Sequence, residues 1–386
     1  MESRMAAADV SASMVLRRGW YALLGPSLAA HAPFFAIAIG YFLIFSLAGL
    51  WAPITTKNAF VFLVGILTFS VPMLILALAA YCLAELIARE RPAHPIPALW
   101  RKMRGLLGDP VRMSAGLPMV AALILFMYDF TLVKGNITAF GPFSWDATFD
   151  AWDRALHFGI RPWELLQPIF GYWPITFILN LNYNMWFVVM NVFWVHYAFF
   201  ARPGEARTRF FLSFFTIWII GGGILAIVFA SAGPCYFGRL GLGADPYGPL
   251  MAYLNDANGV APIWALQTQE MLWRLWSGGS TLGGISAMPS MHNATATLFV
   301  LAAWGAAPWL RNLLIAHGVM IFLGSVHLGW HYAVDAYPAV ALAVVSWMAM
   351  GRVSRWWEGG AAAQAYRRLV DASAGAPEPA ALAPIR

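Results

Sequence analysis

Eight stretches of this chain are long and apolar enough to cross a lipid bilayer. A hydrocarbon core about 30 Å thick requires roughly 20 consecutive, mostly apolar residues in a helix. With 60% hydrophobic and only 11% charged residues, the 386-residue chain also lacks the polar surface that a water-soluble protein of this size needs. The sequence therefore predicts an all-α integral membrane protein with about eight transmembrane helices, over residues 33–51, 59–87, 115–133, 175–200, 209–231, 290–307, 310–328 and 332–351.

The basic residues indicate how these helices are oriented, because Lys and Arg are retained on the cytoplasmic side of a membrane. If both termini are cytoplasmic, the cytoplasmic segments hold 18 of the 24 Lys and Arg residues, and the opposite segments hold six. No basic block is long enough to predict a nucleic-acid partner, so the positive charge is assigned to this topology and to anionic lipid. Arg outnumbers Lys 21 to 3, which is typical of a GC-rich bacterial genome, and a bacterial inner membrane is the expected location.

The order of these stretches predicts three regions. Residues 1–110 hold a lead-in, two extra transmembrane helices and a basic segment whose centre is predicted to be an amphipathic helix on the inner surface. Residues 111–352 are predicted to form a six-helix catalytic membrane domain, and its outer segments show helical spacing over 149–170 and 261–276. Residues 353–386 are predicted to be a disordered cytoplasmic tail.

The segment "MPSMHNA" places polar residues at the mouth of an apolar helix. Ser290 is of a type that caps helix N-termini, and the helix that it opens directs free N–H groups and the positive end of its dipole outward. Such a helix end suits a phosphate anion. His292 follows within the first turn, where it is placed to act as a general acid toward a leaving oxygen.

A second polar segment, "HLGWHYAVDAY", lies at the same outer face on the predicted topology. His331 and Asp335 are four residues apart, so on a helix the carboxylate can orient one ring nitrogen and make the other more nucleophilic. His327, one turn earlier, is assigned to substrate binding. Arg239 ends the fifth apolar stretch at this face and is assigned to the charge of the transferred group, with a surface charge at the end of the span as the alternative. These parts predict phosphoryl transfer through a phosphohistidine.

The Pro-Ser-x-His and His-x-x-x-Asp segments resemble the second and third signatures of the type 2 phosphatidic acid phosphatase superfamily. The resemblance covers about residues 115–352 and implies a six-helix core, with His292 as the acid, His331 as the nucleophile and Asp335 as the orienting carboxylate. The usual Arg six residues before the nucleophile is Ser325 here, and the family's first signature, a Lys and an Arg-Pro seven residues apart, is absent. "MPSMHNA", "GWHYAVDAY" and "WDRALHFGIRPWE" are most similar to the inositol phosphorylceramide synthase branch, the aureobasidin-target family.

The resemblance implies a membrane phosphotransferase that needs no cofactor or metal and moves a phosphoryl-headgroup from a phospholipid donor to a lipid alcohol. In the synthase branch the donor is phosphatidylinositol and the acceptor is ceramide. The alternatives are a lipid phosphate or polyprenyl diphosphate phosphatase with the same His/His/Asp site, and a non-catalytic scaffold or transporter. His327, His331 and Asp335, four residues apart in turn, could instead be metal ligands. The oligomeric state is left open.

Two further sets of polar residues have two interpretations each. Asp153 and Arg154 form an ion pair that fixes the outer helix, or they contact substrate. Asn180, Asn182 and Asn184 lie in the outer half of the fourth apolar stretch, where amides usually bond neighbouring helices. The alternative is that these amides meet the hydroxyl groups of a polyol headgroup.

Overall fold

The computed structural model describes residues 21–54 and 59–374, and no β-strand occurs within these ranges. In chain order, the described helices are α1 (Tyr21–Ala48), α2 (Ala59–Glu85), α3 (Pro95–Gly108), α4 (Pro110–Gly135), α5 (Asp146–Leu156), α6 (Pro162–Phe170), α7 (Trp173–Val195), α8 (Glu205–Ile217), α9 (Gly248–Val260), α10 (Trp264–Ser277), α11 (Met291–Ala302), α12 (Pro308–His327), α13 (Ala336–Glu358) and α14 (Ala361–Ala374). Helices α2, α7 and α8 continue as π-helical turns over Leu86–Glu90, His196–Phe200 and Trp218–Leu225.

Seven helical segments of the described chain are long and apolar enough to cross a membrane. This finding confirms the prediction of an all-α integral membrane protein, although the count is one lower than the eight stretches read from hydropathy. The segments are Leu23–Ala48, Val71–Glu90, Pro110–Gly135, Trp173–Phe200, Glu205–Val228, Pro308–His327 and Ala333–Glu358.

The stretch at 290–307 is the one that does not form a full-length span. Its helix, α11, has only 12 residues and is about 18 Å long. The far end of α11 is level with the end of α7, because the Tyr197 hydroxyl donates to the Ala302 carbonyl over 3.1 Å. Its first turn lies beside Tyr183, ten residues into α7. Helix α11 is short because the preceding loop enters the bundle, so Ser290 is fully buried.

Aromatic side chains fill the space between α4 and α8 in the centre of the bundle. The Phe126 and Phe215 rings stack with their centroids 4.2 Å apart, and Phe130 meets Trp218 edge-on at 4.6 Å. A Cβ atom at Gly222 would lie 2.5 Å from the Phe130 ring, so this position requires a glycine. Close packing of this kind holds helices together where the surrounding lipid is as apolar as the side chains.

The short helices confirm the predicted amphipathic elements. Helix α3 lies within the basic segment, α5 and α6 occupy the predicted helical spacing over 149–170, and α10 occupies 261–276. At the end of α4 that is distant from α3, helices α5 and α10 cover the bundle, since Asp146 on α5 and Gln269 on α10 both hydrogen-bond loops between the long helices. These two helices form a roof over the cavity described below.

The prediction of a disordered tail from residue 353 is wrong for the residues that the structure describes. Helix α13 continues to Glu358, and α14 (Ala361–Ala374) packs back against the bundle. The Tyr366 side chain is 1% exposed and its hydroxyl shares a 2.9 Å hydrogen bond with Ser114. The sequence expectation failed because the Ala-rich segment was judged on composition, whereas its buried face forms only against α1 and α4. Residues 375–386 lie outside the described chain.

Candidate active site

His331 and Asp335 are in contact, although they do not lie on one helix. His331 follows α12 in an extended segment, and Ala333–Asp335 forms a 3₁₀ turn that leads into α13. The His331 Nδ1 atom lies 3.2 Å from Oδ2 of Asp335, which also accepts the Tyr332 N–H over 3.0 Å. The turn therefore achieves the pairing that the sequence assigned to a helix. With Nδ1 engaged, Nε2 is the ring nitrogen left for a nucleophile.

The two imidazoles predicted to act together face each other. The ring centroids of His292 and His331 are 6.2 Å apart, and the ring planes are inclined by 61°. At this separation, one phosphoryl group in the cavity can contact both rings. Burial, with the charge of Lys134 as a second cause, lowers the pKa of His331 to about 3. The ring is therefore neutral at physiological pH, which is the form that a nucleophile needs.

The His292 ring is held by aromatic contacts on α7. It stacks on Tyr183 with the centroids 4.3 Å apart, and it lies 4.2 Å from Trp186. No hydrogen bond joins the His292 ring to another described residue, which leaves both ring nitrogens for a substrate. The aromatic contacts fix the ring plane without using a nitrogen atom.

Ser290 lies at the N-terminus of α11, as predicted. Its Oγ accepts from the Asn293 backbone N–H over 3.4 Å and from the Asn293 side-chain amide over 2.9 Å. The Ser290 N–H donates to the Asp335 carbonyl over 3.0 Å, and this bond ties the two signature segments together. Ser290 is fully buried and does not line the cavity between the histidines. Its observed contacts therefore position α11, whereas contact with phosphate stays a prediction.

The roof helix α5 carries carboxylates that hold the loops of the site. Asp146 accepts the Ala232 and Gly233 N–H groups over 2.9 and 2.8 Å, and also the Tyr332 hydroxyl over 2.8 Å. Asp153 accepts the N–H groups of Ala333 and Val334, each over 2.9 Å. Burial raises the pKa of Asp153 to about 6, while these two backbone bonds oppose the shift.

Asp153 therefore caps the turn between His331 and Asp335, and it forms no ion pair with Arg154. The carboxylate of α5 that does form an ion pair is Asp150, which accepts from Arg161 over 2.7 and 3.1 Å. The spacing of the aspartates on this helix could have predicted a buried acidic face, because Asp146, Asp150 and Asp153 share one side of it. The sequence could not identify the partners of these carboxylates, because they are backbone N–H groups and side chains from other segments of the chain.

A cavity of about 350 Å³ opens between the two histidines. Aromatic and aliphatic side chains make up most of its wall, and Lys134 is the one cationic side chain among its described lining residues. The residues that line the cavity include Met127, Phe130, Lys134, Tyr183, Asn184, Trp186, Phe187, Met190, Trp218, Thr268, Leu272, Ser286, His292 and His331.

Lys134 is the functional candidate that the sequence analysis missed. It lies in the last turn of α4 and belongs to none of the ion pairs of the described residues. Its charge acts on both His292 and His331. The sequence could have drawn attention to Lys134, because it is one of three lysines in the chain and ends an apolar helix next to a glycine.

Arg239 does not reach the cavity, so its assignment to the transferred group is wrong. Its guanidinium lies 2.6 Å from the Glu270 carboxylate on α10 and over the Trp273 ring. The side chain is 43% exposed. Charge counting predicted the side of the membrane on which Arg239 lies. It could not predict the direction of the side chain, because that direction depends on Glu270, which is distant in sequence.

His327 is also directed away from the cavity. It is fully buried at the end of α12, and its Nε2 atom shares a 2.9 Å hydrogen bond with the Thr176 hydroxyl. Because α12 ends at His327, the following loop breaks the helical register that was predicted to bring it beside His331. Within residues 21–54 and 59–374, no group of three His, Cys, Asp or Glu residues is arranged to hold a metal ion.

The three asparagines of α7 separate into two classes. Asn182 Oδ1 accepts from His317 Nδ1 over 2.8 Å, and Asn180 accepts the Ala265 N–H of α10 over 3.1 Å. These two amides join helices, as amides in membrane proteins usually do. Asn184 instead lines the cavity.

Comparison with known proteins supports the family assignment at the level of the superfamily. A sequence model described as the PAP2 superfamily matches residues 147–349, which is just over half of the chain and contains both histidines of the cavity. No curated protein and no solved structure matches the chain. With its all-helical membrane fold, the chain therefore belongs to the PAP2 superfamily of phosphatases and phosphotransferases.

Proposed function

We propose that this protein is a membrane phosphotransferase that moves a phosphoryl-headgroup from a phospholipid to a lipid alcohol. The observation that carries the proposal is the position of the His292 and His331 rings, 6.2 Å apart in a cavity whose wall is mostly aromatic and aliphatic. The reacting imidazoles lie level with Tyr183, about 15 Å along α7 from its first residue. A site recessed to this depth suits substrates that stay in the lipid phase.

In the first step, Nε2 of His331 attacks the phosphorus atom of the donor. A bond forms between nitrogen and phosphorus, and the bond from phosphorus to the diacylglycerol oxygen breaks. Binding of the anionic donor beside His292 favours its protonated form, which gives its proton to this leaving oxygen, so diacylglycerol departs as a neutral alcohol. The ammonium of Lys134 stabilises the negative charge on the phosphoryl oxygens.

In the second step, the hydroxyl group of the acceptor lipid attacks the phosphohistidine. His292, now neutral, takes the hydroxyl proton while the bond between nitrogen and phosphorus breaks. His331 returns to its neutral form and the headgroup leaves on the acceptor. Asp335 holds Nδ1 of His331 in both steps and stabilises the positive charge that the ring carries in the intermediate.

The apolar wall favours transfer over hydrolysis. Phe130, Phe187, Met190 and Trp218 line the cavity and offer few hydrogen-bonding groups to ordered water. An acceptor with a hydrocarbon chain gains burial against this wall, whereas water does not. The similarity of "MPSMHNA" and "GWHYAVDAY" to the inositol phosphorylceramide synthase branch supports phosphatidylinositol as donor and ceramide as acceptor.

The distribution of basic residues supports a location for the reaction at the non-cytoplasmic face. The loops on the side of the cavity hold six of the 24 Lys and Arg residues, which corresponds to a periplasmic site in a bacterial inner membrane.

The test is an assay of the purified full chain in detergent micelles with phosphatidylinositol labelled in its phosphate. We expect a new labelled lipid, distinct from the phosphatidylinositol donor, that forms only when ceramide is present. Water-soluble labelled phosphate or inositol phosphate without transfer would support a phosphatase that uses the same residues. Turnover of neither kind would support a scaffold or transporter and would overturn the proposal.

A further inference from the structure

Asn184 and Thr268 are polar side chains of the cavity that take no part in the proposed phosphoryl transfer. Asn184 lies on α7 and Thr268 on α10, and neither helix carries Lys134, His292 or His331. The remainder of the α7 wall around Asn184 is aromatic or aliphatic. A polar pair in such a wall marks a place where the wall recognises a polar group of a ligand.

The hydrogen bonds of Asn184 determine which of its polar atoms is left for a ligand. Its Nδ2 donates to the Asn180 carbonyl over 2.8 Å and lies 3.4 Å from the Asn180 Oδ1. If the Asn184 amide were flipped, its oxygen would face the Asn180 carbonyl and Oδ1 atoms, which are acceptors as well. The hydrogen bonds therefore identify the atom of Asn184 that faces Asn180 as the nitrogen Nδ2. The Oδ1 atom of Asn184 has no hydrogen-bond partner among the described residues, and it remains as an acceptor.

Thr268 also has an acceptor atom that receives no hydrogen bond from the described residues. Its Oγ1 donates to the Trp264 carbonyl over 3.1 Å, so the hydroxyl proton is used within α10 and the lone pairs remain. The Asn184 Oδ1 and Thr268 Oγ1 atoms are thus two neutral acceptors on the cavity wall that lack a donor.

The two acceptors are held in register with each other and with the reacting imidazoles. The Asn180 Oδ1 accepts the Ala265 N–H, which joins α7 to α10. Asn184 and Thr268 each lie about one helical turn from this bond. Asn184 also follows Tyr183, whose ring stacks on His292, so Asn184 lies one residue, about 1.5 Å of helical rise, beyond the residue that contacts the acid.

The positive charge of the cavity limits the kind of ligand that these acceptors can bind. Two neutral oxygens accept from a hydroxyl or from an ammonium group, but Lys134 already places a positive charge in the cavity and repels a cationic headgroup. We propose that Asn184 and Thr268 form a subsite that binds a substrate hydroxyl group. The inference rests on the proposed transferase function. The hydroxyl belongs either to the polyol headgroup of the donor or to the acceptor alcohol.

The experiment measures transfer kinetics of the full chain with the Asn184→Leu and Thr268→Val variants. In one arm, phosphatidylinositol is varied at saturating ceramide, and in the other, ceramide is varied at saturating phosphatidylinositol. We expect each variant to raise KM about tenfold in one arm, since each removes one hydrogen bond to a bound substrate. A rise in the donor arm identifies a headgroup hydroxyl, and a rise in the acceptor arm identifies the acceptor alcohol.

Asn191→Leu is the matched control. The Asn191 amide also donates to a carbonyl four residues earlier on α7, that of Phe187, over 2.8 Å, but Asn191 does not line the cavity. KM values that change less than twofold in both arms for Thr268→Val, whose shape is conserved, would overturn the subsite even if Asn184→Leu failed to fold. An equal change in Asn191→Leu would overturn it as well. A wild-type protein without transfer would instead overturn the proposed function, and the subsite with it.

Discussion

Two buried polar clusters at opposite ends of α4 differ in how far their hydrogen bonds are satisfied. At one end, every side-chain nitrogen of Arg207 is bonded: Nε to the Tyr197 carbonyl, one terminal nitrogen to His31 and the other to the Ala115 carbonyl, over 2.7–2.8 Å. At the other end, His292 has no hydrogen bond to a described residue and Lys134 has no ion pair. Burying a charge without partners is costly, so the unsatisfied cluster is the one organised for a ligand.

Burial alone therefore does not identify a functional group in this bundle. Arg207 is 3% exposed and His31 is 1% exposed, yet the hydrogen bonds of the Arg207 guanidinium join α8 to α1, to α4 and to the π-helical turn after α7. His331 is 6% exposed, but it lines a cavity. The five predictions below test whether the satisfied cluster serves stability and the unsatisfied cluster serves turnover, in order of decreasing effect.

The largest effect is expected from His331→Ala and His292→Ala. Each should lower turnover by at least about a thousandfold, because the first removes the nucleophile and the second the proton donor. The measurement is transfer of label from phosphatidylinositol, with size-exclusion elution as the check of folding. His327→Ala is the matched control and should keep most of the activity, since His327 bonds Thr176 outside the cavity. Full activity in His331→Ala would remove the proposed nucleophile.

Arg207→Met should act on stability and leave chemistry unchanged. The variant leaves several buried carbonyls and His31 without their donor, so the free energy of unfolding should fall by about 3 kcal/mol. Thermal unfolding in detergent measures this loss, and turnover per folded molecule should match the wild type. Arg202→Met, on an exposed side chain of the same region, should leave the unfolding temperature unchanged. A stable Arg207→Met protein would contradict the structural role of this cluster.

Lys134→Met should lower kcat/KM about a hundredfold, or about 2.7 kcal/mol, since it removes the one cation of the described cavity wall. Steady-state transfer assays measure the effect. Lys102→Met is the control, because Lys102 pairs with Glu85 and Glu90. If the two lysine variants behave alike, Lys134 does not act on the phosphoryl group.

Asp153→Asn should lower kcat about tenfold with KM nearly unchanged. The amide offers one acceptor oxygen where the carboxylate holds two N–H groups, so the turn between His331 and Asp335 is less well positioned. Arg154→Gln, on the exposed side of the same helix, is the control and should match the wild type. A change confined to KM would assign Asp153 to substrate contact, which is the alternative that the sequence left open.

The smallest effect is expected from Arg239→Gln. Because its guanidinium pairs with the half-exposed Glu270, kcat/KM should change less than twofold, and exposed pairs of this kind contribute about 1 kcal/mol or less to stability. The same transfer assay measures it. A loss as large as that in Lys134→Met would place Arg239 at the phosphate after all.

Sequence and structure agree most closely where a feature is local. The apolar stretches and the Ser290 cap depend on a few consecutive residues, and the contact between His331 and Asp335 formed even though a turn replaced the expected helix. The assignments of Arg239 and His327 failed because each side chain has a partner far away in sequence, Glu270 in one case and Thr176 in the other.

Local sequence patterns were sufficient to predict that the chain crosses a membrane, that two histidine segments meet and that a carboxylate contacts one ring. Hydropathy and short spacing carry that information, since they depend on neighbours along the chain. The packed bundle was needed to find Lys134 as the one cation of the described cavity wall, the bonds of Asp146 and Asp153 to the loops, and Asn184 as the one asparagine of the three that lines the cavity. Each of these roles depends on which face of a helix meets which loop, and that is decided by packing across the whole bundle.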